Sequence, residues 1–229
     1  MAHDWKNIAY VKENPATHLA ADAAFALEYA RSANSRNNDE ETARFARMSI
    51  LLYAVSLEAF INFIYRYHEV PESRWRSLSL KDKWLRAAPE CLGSSGTIET
   101  EQGVVYRPGD PVETFRKDVE PFVSFLELKS FRDSLVHLDP PFAEVTKDNV
   151  ESHLTRAEYY AASGLPKRLR NCGVEHAQIA MEIYHGMTRE LDRQMKGLVL
   201  NKFSEEGGAW IETFIDDDEM LSEGQPTVQ

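Results

Sequence analysis

The feature that most constrains this fold is a single long apolar stretch with two polar residues set into its middle. From Met48 to Tyr65 the chain is nearly continuous in apolar side chains, broken centrally by Glu58 and Asn62. Its length approaches what a bilayer crossing requires. The central carboxylate and the absence of a flanking basic cluster point instead to a buried core helix. Asp39, Glu40 and Glu41 open this helix with acids where the helix dipole favours them, and the pattern runs to about Tyr67. Phe45, Met48, Leu52, Val55, Ala59 and Phe63 recur every three or four residues, and Ile50, Leu51, Phe60, Ile61 and Ile64 widen the stripe. A helix apolar around most of its girth is central in a bundle or buried at a second interface, such as a dimer contact. A carboxylate in such a helix needs partners. Glu58 and Asn62 are therefore expected to form a polar clamp, bonding each other, a neighbouring helix or a second subunit.

The rest of the chain supplies helices to surround it. Ala16 to Ala33 is alanine-rich, with Leu19, Ala23, Ala26, Leu27 and Ala30 on one side, and breaks at Ser35-Arg36-Asn37-Asn38. Ser79 can cap a short third helix to Ala87, with Leu80 and Trp84 inward. Between Gly93 and Pro111 the chain is rich in Gly, Ser, Thr and Pro. There 97–100 and 104–106 are candidates for a small hairpin within what reads as a mobile insertion, residues 92–111. Val112 to His137 is a helical region interrupted near Pro121, and Asp139-Pro140-Pro141 stops it. Asn149 to Ala162 predicts a fifth helix. A last one runs from about Val174 to Leu198, where Ala177, Met181, Tyr184, Leu191 and Met195 form a stripe. Strand signal is nearly absent. The expectation is an all-α bundle of five or six helices over residues 1–202, followed by a flexible acidic tail, 203–229.

Charge has to be located before it is interpreted. The net charge is −11, and residues 203–229 carry eight acids with no Lys or Arg, which leaves −3 for residues 1–202. No cluster of Lys and Arg with interleaved aromatics marks a nucleic-acid footprint. Cys91 and Cys172 are too few for a disulfide framework and lack zinc-site spacing. With no apolar leader in Met1 to Asn14, the expected setting is the cytoplasm, without a membrane. A Gly-rich phosphate loop, a Gly-x-Ser-x-Gly elbow and a His-Glu-x-x-His pair are all missing, which disfavours nucleotide-binding, esterase and zinc-protease readings.

Chemistry concentrates at Phe131-Arg132-Asp133-Ser134-Leu135-Val136-His137, at the end of the Val112–His137 region. Asp133 and His137, four apart, share a helix face, so the carboxylate can fix the imidazole tautomer and hold its pKa near neutrality. Arg132 lies about 140° from His137 around an ideal helix, so convergence is easier across a two-fold axis. A second match, Arg170 to His176, contains Gly173 and opens a helix instead of closing one, and ranks behind. Glu182 and His185 have the spacing of a di-iron ligand pair, but that chemistry needs a second such helix and further glutamates, so a surface glutamate beside a half-buried histidine is expected. His18, His68 and His153 read as surface residues, and Lys81, Lys83 and Arg86 as a solvated face. No cofactor and no metal are expected.

The segment from Phe131 to His137 resembles the Arg-polar-x-His motif of HEPN-family domains, which are helical bundles. Ser56-Leu57-Glu58-Ala59-Phe60-Ile61-Asn62 is similar to the helix common in such proteins, and Ser79 to Leu85 looks like the short element that follows it in some bacterial members. The likeness implies a homodimer with two motifs lining one cleft. For catalytic members it implies a metal-independent endoribonuclease of toxin or defence type, in which the ribose 2′-OH attacks the adjacent phosphate. His137 would then be the general acid or base, Arg132 would stabilise the transition state, and Asp133 would orient the imidazole or touch the partner. RNA, a neutralising antitoxin and a nucleotidyltransferase are the implied partners. Asp139 stands where some members carry the tyrosine that a nucleotidyltransferase modifies, which disfavours regulation by that route. The competing expectation is a non-catalytic interaction module of the same fold, because an acidic chain lacks the cations that supply much of nonspecific RNA affinity.

Overall fold

The computed structural model describes residues 14–100, 103–136 and 158–199. The chain is mostly helical, as its periodicity requires. Helix α1 spans Pro15–Ser35, α2 Asp39–Tyr67, α3 Glu72–Trp75, α4 Leu80–Ser95, α5 Phe122–Val136 and α6 Val174–Gln194. Two short strands, β1 (Ile98–Thr100) and β2 (Gly103–Tyr106), form an antiparallel hairpin, and a 3-10 turn covers Leu169–Asn171. The expected tail, 203–229, lies outside the described residues.

Side chains set the helix starts. Asn14 accepts from the Ala16 N–H at 3.0 Å ahead of Pro15, Asn38 from the Glu41 N–H at 3.2 Å, and Ser79 from the Asp82 N–H at 3.1 Å. Each satisfies a backbone donor that a helix start leaves open. Helix α6 ends where Lys196 and Gly197 take positive φ and the Gly197 N–H returns to the Asp192 carbonyl.

Helix α2 is the centre, packing against α1, α4, α5 and α6. The α1 face that meets it is small, with Ala16, Ala20, Ala23 and Ala30 buried, so the two backbones approach closely. The Ser56 hydroxyl spans that contact to the Ala16 carbonyl at 2.7 Å. By length and composition α2 could cross a membrane, but most of its apolar stretch is buried inside the bundle.

On the other side Trp84 stacks on Phe60 (6.0 Å, 17°) and meets the rings of Phe115 and Phe125. Such ring pairs fix mutual orientation as well as burying area, and this group seats α5 against α2. Gly186 lets α6 approach the start of α5, because a Cβ there would sit 3.0 Å from Pro121 Cβ.

One candidate is present and two expectations change. The insertion holds a hairpin, and buried Tyr106 packs with Leu92 and Leu198 to anchor it. Residues 112–121 are not helical; buried Phe115 leads instead to a cis Glu120–Pro121 bond, and the helix begins at Phe122. Of the expected fifth helix, 149–157 lie outside the described residues, while Glu158 to Ala162 form a bridge and turn, with Tyr159 pairing with Pro166.

Candidate functional site

Helix α5 brings Arg132 to the central helix. Its buried residues Phe122, Phe125, Leu128 and Phe131 step along one face. Arg132, one residue on, emerges at the edge of that face beside α2. There its Nη2 meets Glu58 Oε2 at 3.1 Å, while Nε lies 3.2 Å from Asp133 Oδ1. Asp133 also accepts from Lys129 Nζ at 2.5 Å, one turn earlier on the same helix. The guanidinium is thus held between two carboxylates from different helices, with its side chain only 17% exposed against 39% for Glu58. The Nε hydrogen, though near Asp133, is buried without a well-formed hydrogen bond.

Asn62, one turn beyond Glu58, does not join that pair. Its Oδ1 accepts from Lys83 Nζ of α4 at 2.8 Å. The same ammonium lies 5.2 Å from the centre of the Trp75 ring, whose Nε1 donates to the Val70 carbonyl at 3.0 Å. Lys83 is therefore a buried cation, 9% exposed, where the sequence reads as a solvated face. Burial lowers its pKa, the Glu58 carboxylate opposes that shift, and the Arg66 charge adds to it. Arg86, on the same short helix, is exposed. Nothing local distinguishes the two; Asn62 and Trp75, remote in sequence, do. One turn of α2 thus ties down two cations, Arg132 through Glu58 and Lys83 through Asn62.

His137, the expected acid or base, lies outside the described residues, as does His153. The other histidines are placed. His18 is exposed, and half-buried His68 meets Ser95 Oγ through Nδ1 at 3.2 Å. His176, from the rival match, is buried and works on the backbone: its Nδ1 accepts the Gly173 N–H at 3.0 Å, closing the start of α6. Its ring stacks on Tyr159 at 5.8 Å, and Nδ1 lies 3.1 Å from Glu175. Burial lowers its pKa, with Glu175 opposing. The neighbouring Cys172 thiol is pushed up to about 12, first by burial, with Arg47 lowering and Glu175 raising it, so it is not a thiolate nucleophile at neutral pH. Glu182 is exposed and bonded by Gln178, beside a half-buried His185. Among the described residues no three His, Cys, Asp or Glu side chains group as metal ligands.

No family model, curated protein or solved structure matches the chain. A fixed guanidinium can bind an anion through forked hydrogen bonds. The two carboxylates that hold it reduce the net charge it offers.

Proposed function

We propose that this chain is an HEPN-like, metal-independent endoribonuclease of the bacterial cytoplasm, acting as a homodimer in a toxin or defence role. The observation that carries the reading is the Arg132–Glu58 ion pair, which joins the motif helix to the Glu58/Asn62 helix and fixes one guanidinium in place. Transition-state stabilisation depends on such preorganisation, since a charge already held in position costs little to reorient during reaction. His137 takes the proton of the ribose 2′-OH as its oxygen attacks the adjacent phosphorus, and the 5′-oxygen leaves with a proton from an acid. The products are a 2′,3′-cyclic phosphate and a free 5′-hydroxyl. Arg132 binds the charge that builds on the non-bridging oxygens. The five-residue spacing of Arg132 and His137 is about 140° on an ideal helix, so a second copy of α5 would bring the two together more readily than one copy does.

A second reading has its own support. Arg132, Asp133 and Lys129 are bonded to one another and to Glu58 within one subunit. That suits a non-catalytic, dimeric interaction module equally. Expressing wild type and His137→Ala side by side separates the two, with growth arrest, RNA integrity and oligomeric state as readouts. A nuclease loses cleavage in the variant and keeps its dimer. A module shows no cleavage in either.

A further inference from the structure

The chain has no basic run, yet the fold gathers cations from α2, α4 and α5 along one face of α2. Glu58, Asn62 and Arg66 stand on successive turns of that helix, each step about 6 Å along the axis and about 40° around it. Glu58 holds Arg132 of α5 by the 3.1 Å contact to Nη2. Asn62 holds Lys83 of α4, accepting from Nζ at 2.8 Å. Arg66 supplies the third charge itself. Its Cζ lies 5.9 Å from the centre of the Trp75 ring, the same ring that Lys83 Nζ approaches to 5.2 Å. The face is open to solvent, with Glu58, Ala59 and Asn62 half-buried and Arg66 exposed.

Charge on this face is left unbalanced. Lys83 is buried, yet what meets its ammonium is a neutral amide and an aromatic ring. Burying a cation is costly, and a carboxylate is the usual answer. Among the described residues neither Lys83 nor Arg66 has a carboxylate at ion-pair distance, and the one acid of the strip, Glu58, is taken by Arg132. Asp133, the other carboxylate on Arg132, is shared with Lys129. The strip thus keeps a positive excess on a chain whose net charge is −11. A line of cations one helical turn apart suits a repeating anion better than a single carboxylate. Single strands are held in this way, by a basic track that follows the phosphates without reading the bases.

We propose that the outward face of α2, from Arg132 past Lys83 to Arg66, is a phosphate-tracking strip that carries single-stranded RNA away from the Arg132 site. Arg132 and Arg66 donate to non-bridging oxygens, and Lys83 holds its charge beneath the phosphate between them. This rests on the nuclease reading above, and the test keeps the two apart. Binding to the full-length protein is followed by anisotropy of a labelled 2′-O-methyl RNA of about ten nucleotides, which has no free 2′-OH to attack. Arg66→Gln removes an exposed charge. Asn62→Asp gives Lys83 the carboxylate it lacks, so the fold is kept while the charge is cancelled. Each should weaken binding about 5-fold or more and flatten the salt dependence by about 0.7 in log–log slope, with melting temperature little changed. Wild-type affinity in both variants overturns the strip, as does affinity lost only where Asn62→Asp also loses its fold. Equal competition by a poly-glutamate peptide of matched charge overturns the RNA assignment. If both variants bind as wild type while Arg132→Ala loses cleavage of ordinary RNA, the strip is wrong and the nuclease reading stands. If wild type neither binds nor cleaves, the nuclease reading fails and the strip fails with it.

Discussion

Arg132 and His176 come from two stretches with nearly the same spacing of arginine and histidine, and the fold uses them in opposite ways. His176 stands in the first turn of α6, where backbone N–H groups lack partners, and its imidazole is taken up by the Gly173 N–H and the Tyr159 ring. Arg132 stands late in the described part of α5, and its guanidinium goes to side chains on α2 and on its own helix. A polar residue at a helix start is claimed first by the main chain. Arg132, already inside the helix, instead bridges to α2. The motif letters are shared; the partners within reach separate a local cap at His176 from an inter-helix charge site at Arg132.

That contrast can be broken by mutation. The largest stability effect is expected at the bridging pair. Glu58→Ala leaves a mostly buried guanidinium short of one carboxylate and should cost about 1–3 kcal/mol in urea unfolding. Combined with Arg132→Ala, it should show a coupling of about 0.5–2 kcal/mol in a double-mutant cycle. A coupling near zero would mean the two helices are held by packing alone.

His176→Ala removes a cap and should cost about 0.5–2 kcal/mol, with no effect on any activity that depends on Arg132. Its pH signature gives a second check. The folded state holds His176 below the ordinary histidine value near 6.5, so the unfolded chain binds the proton more readily. The His176 contribution is therefore complete above about pH 6.5 and lost as pH falls through the depressed folded value. Wild type should lose stability relative to His176→Ala over that interval, and parallel pH curves would remove the cap from the account.

The smallest effect is expected at Gly186→Ala. A new methyl 3.0 Å from Pro121 Cβ forces a small shift between α6 and the start of α5, partly offset by better helix propensity, for a net cost of about 1 kcal/mol in thermal melts. A stabilised variant would show that this contact yields easily.

Much of this was legible from residue order. The bounds of α2 follow from the acids at Asp39 to Glu41 and an apolar stripe long enough to leave little ambiguity. The need for partners at Glu58 followed from burial, and the partner is on the motif helix, one of the choices open in advance. The rest depends on contacts between residues far apart in sequence. Residues 158–162 look helical by composition, but Glu127, 35 residues before Ala162, takes the Ala162 N–H and that of the adjoining Ser163, and the turn wins. Lys83 looks solvated until Trp75 and Asn62 close over it. The helical pattern extends upstream of Phe122 because buried Phe115, seven residues earlier, continues the apolar spacing through a stretch that is not helical.

The central claim is that the Arg132 end of α5 carries RNA chemistry and the His176 start of α6 does not. Its most direct test is RNA cleavage by purified wild type, His137→Ala and His176→Ala under identical conditions. The account predicts that His137→Ala loses cleavage by at least about 100-fold, the scale of a lost general acid or base, while His176→Ala retains the wild-type rate at a temperature where both are folded. Equal cleavage by wild type and His137→Ala, or loss confined to His176→Ala, would contradict it.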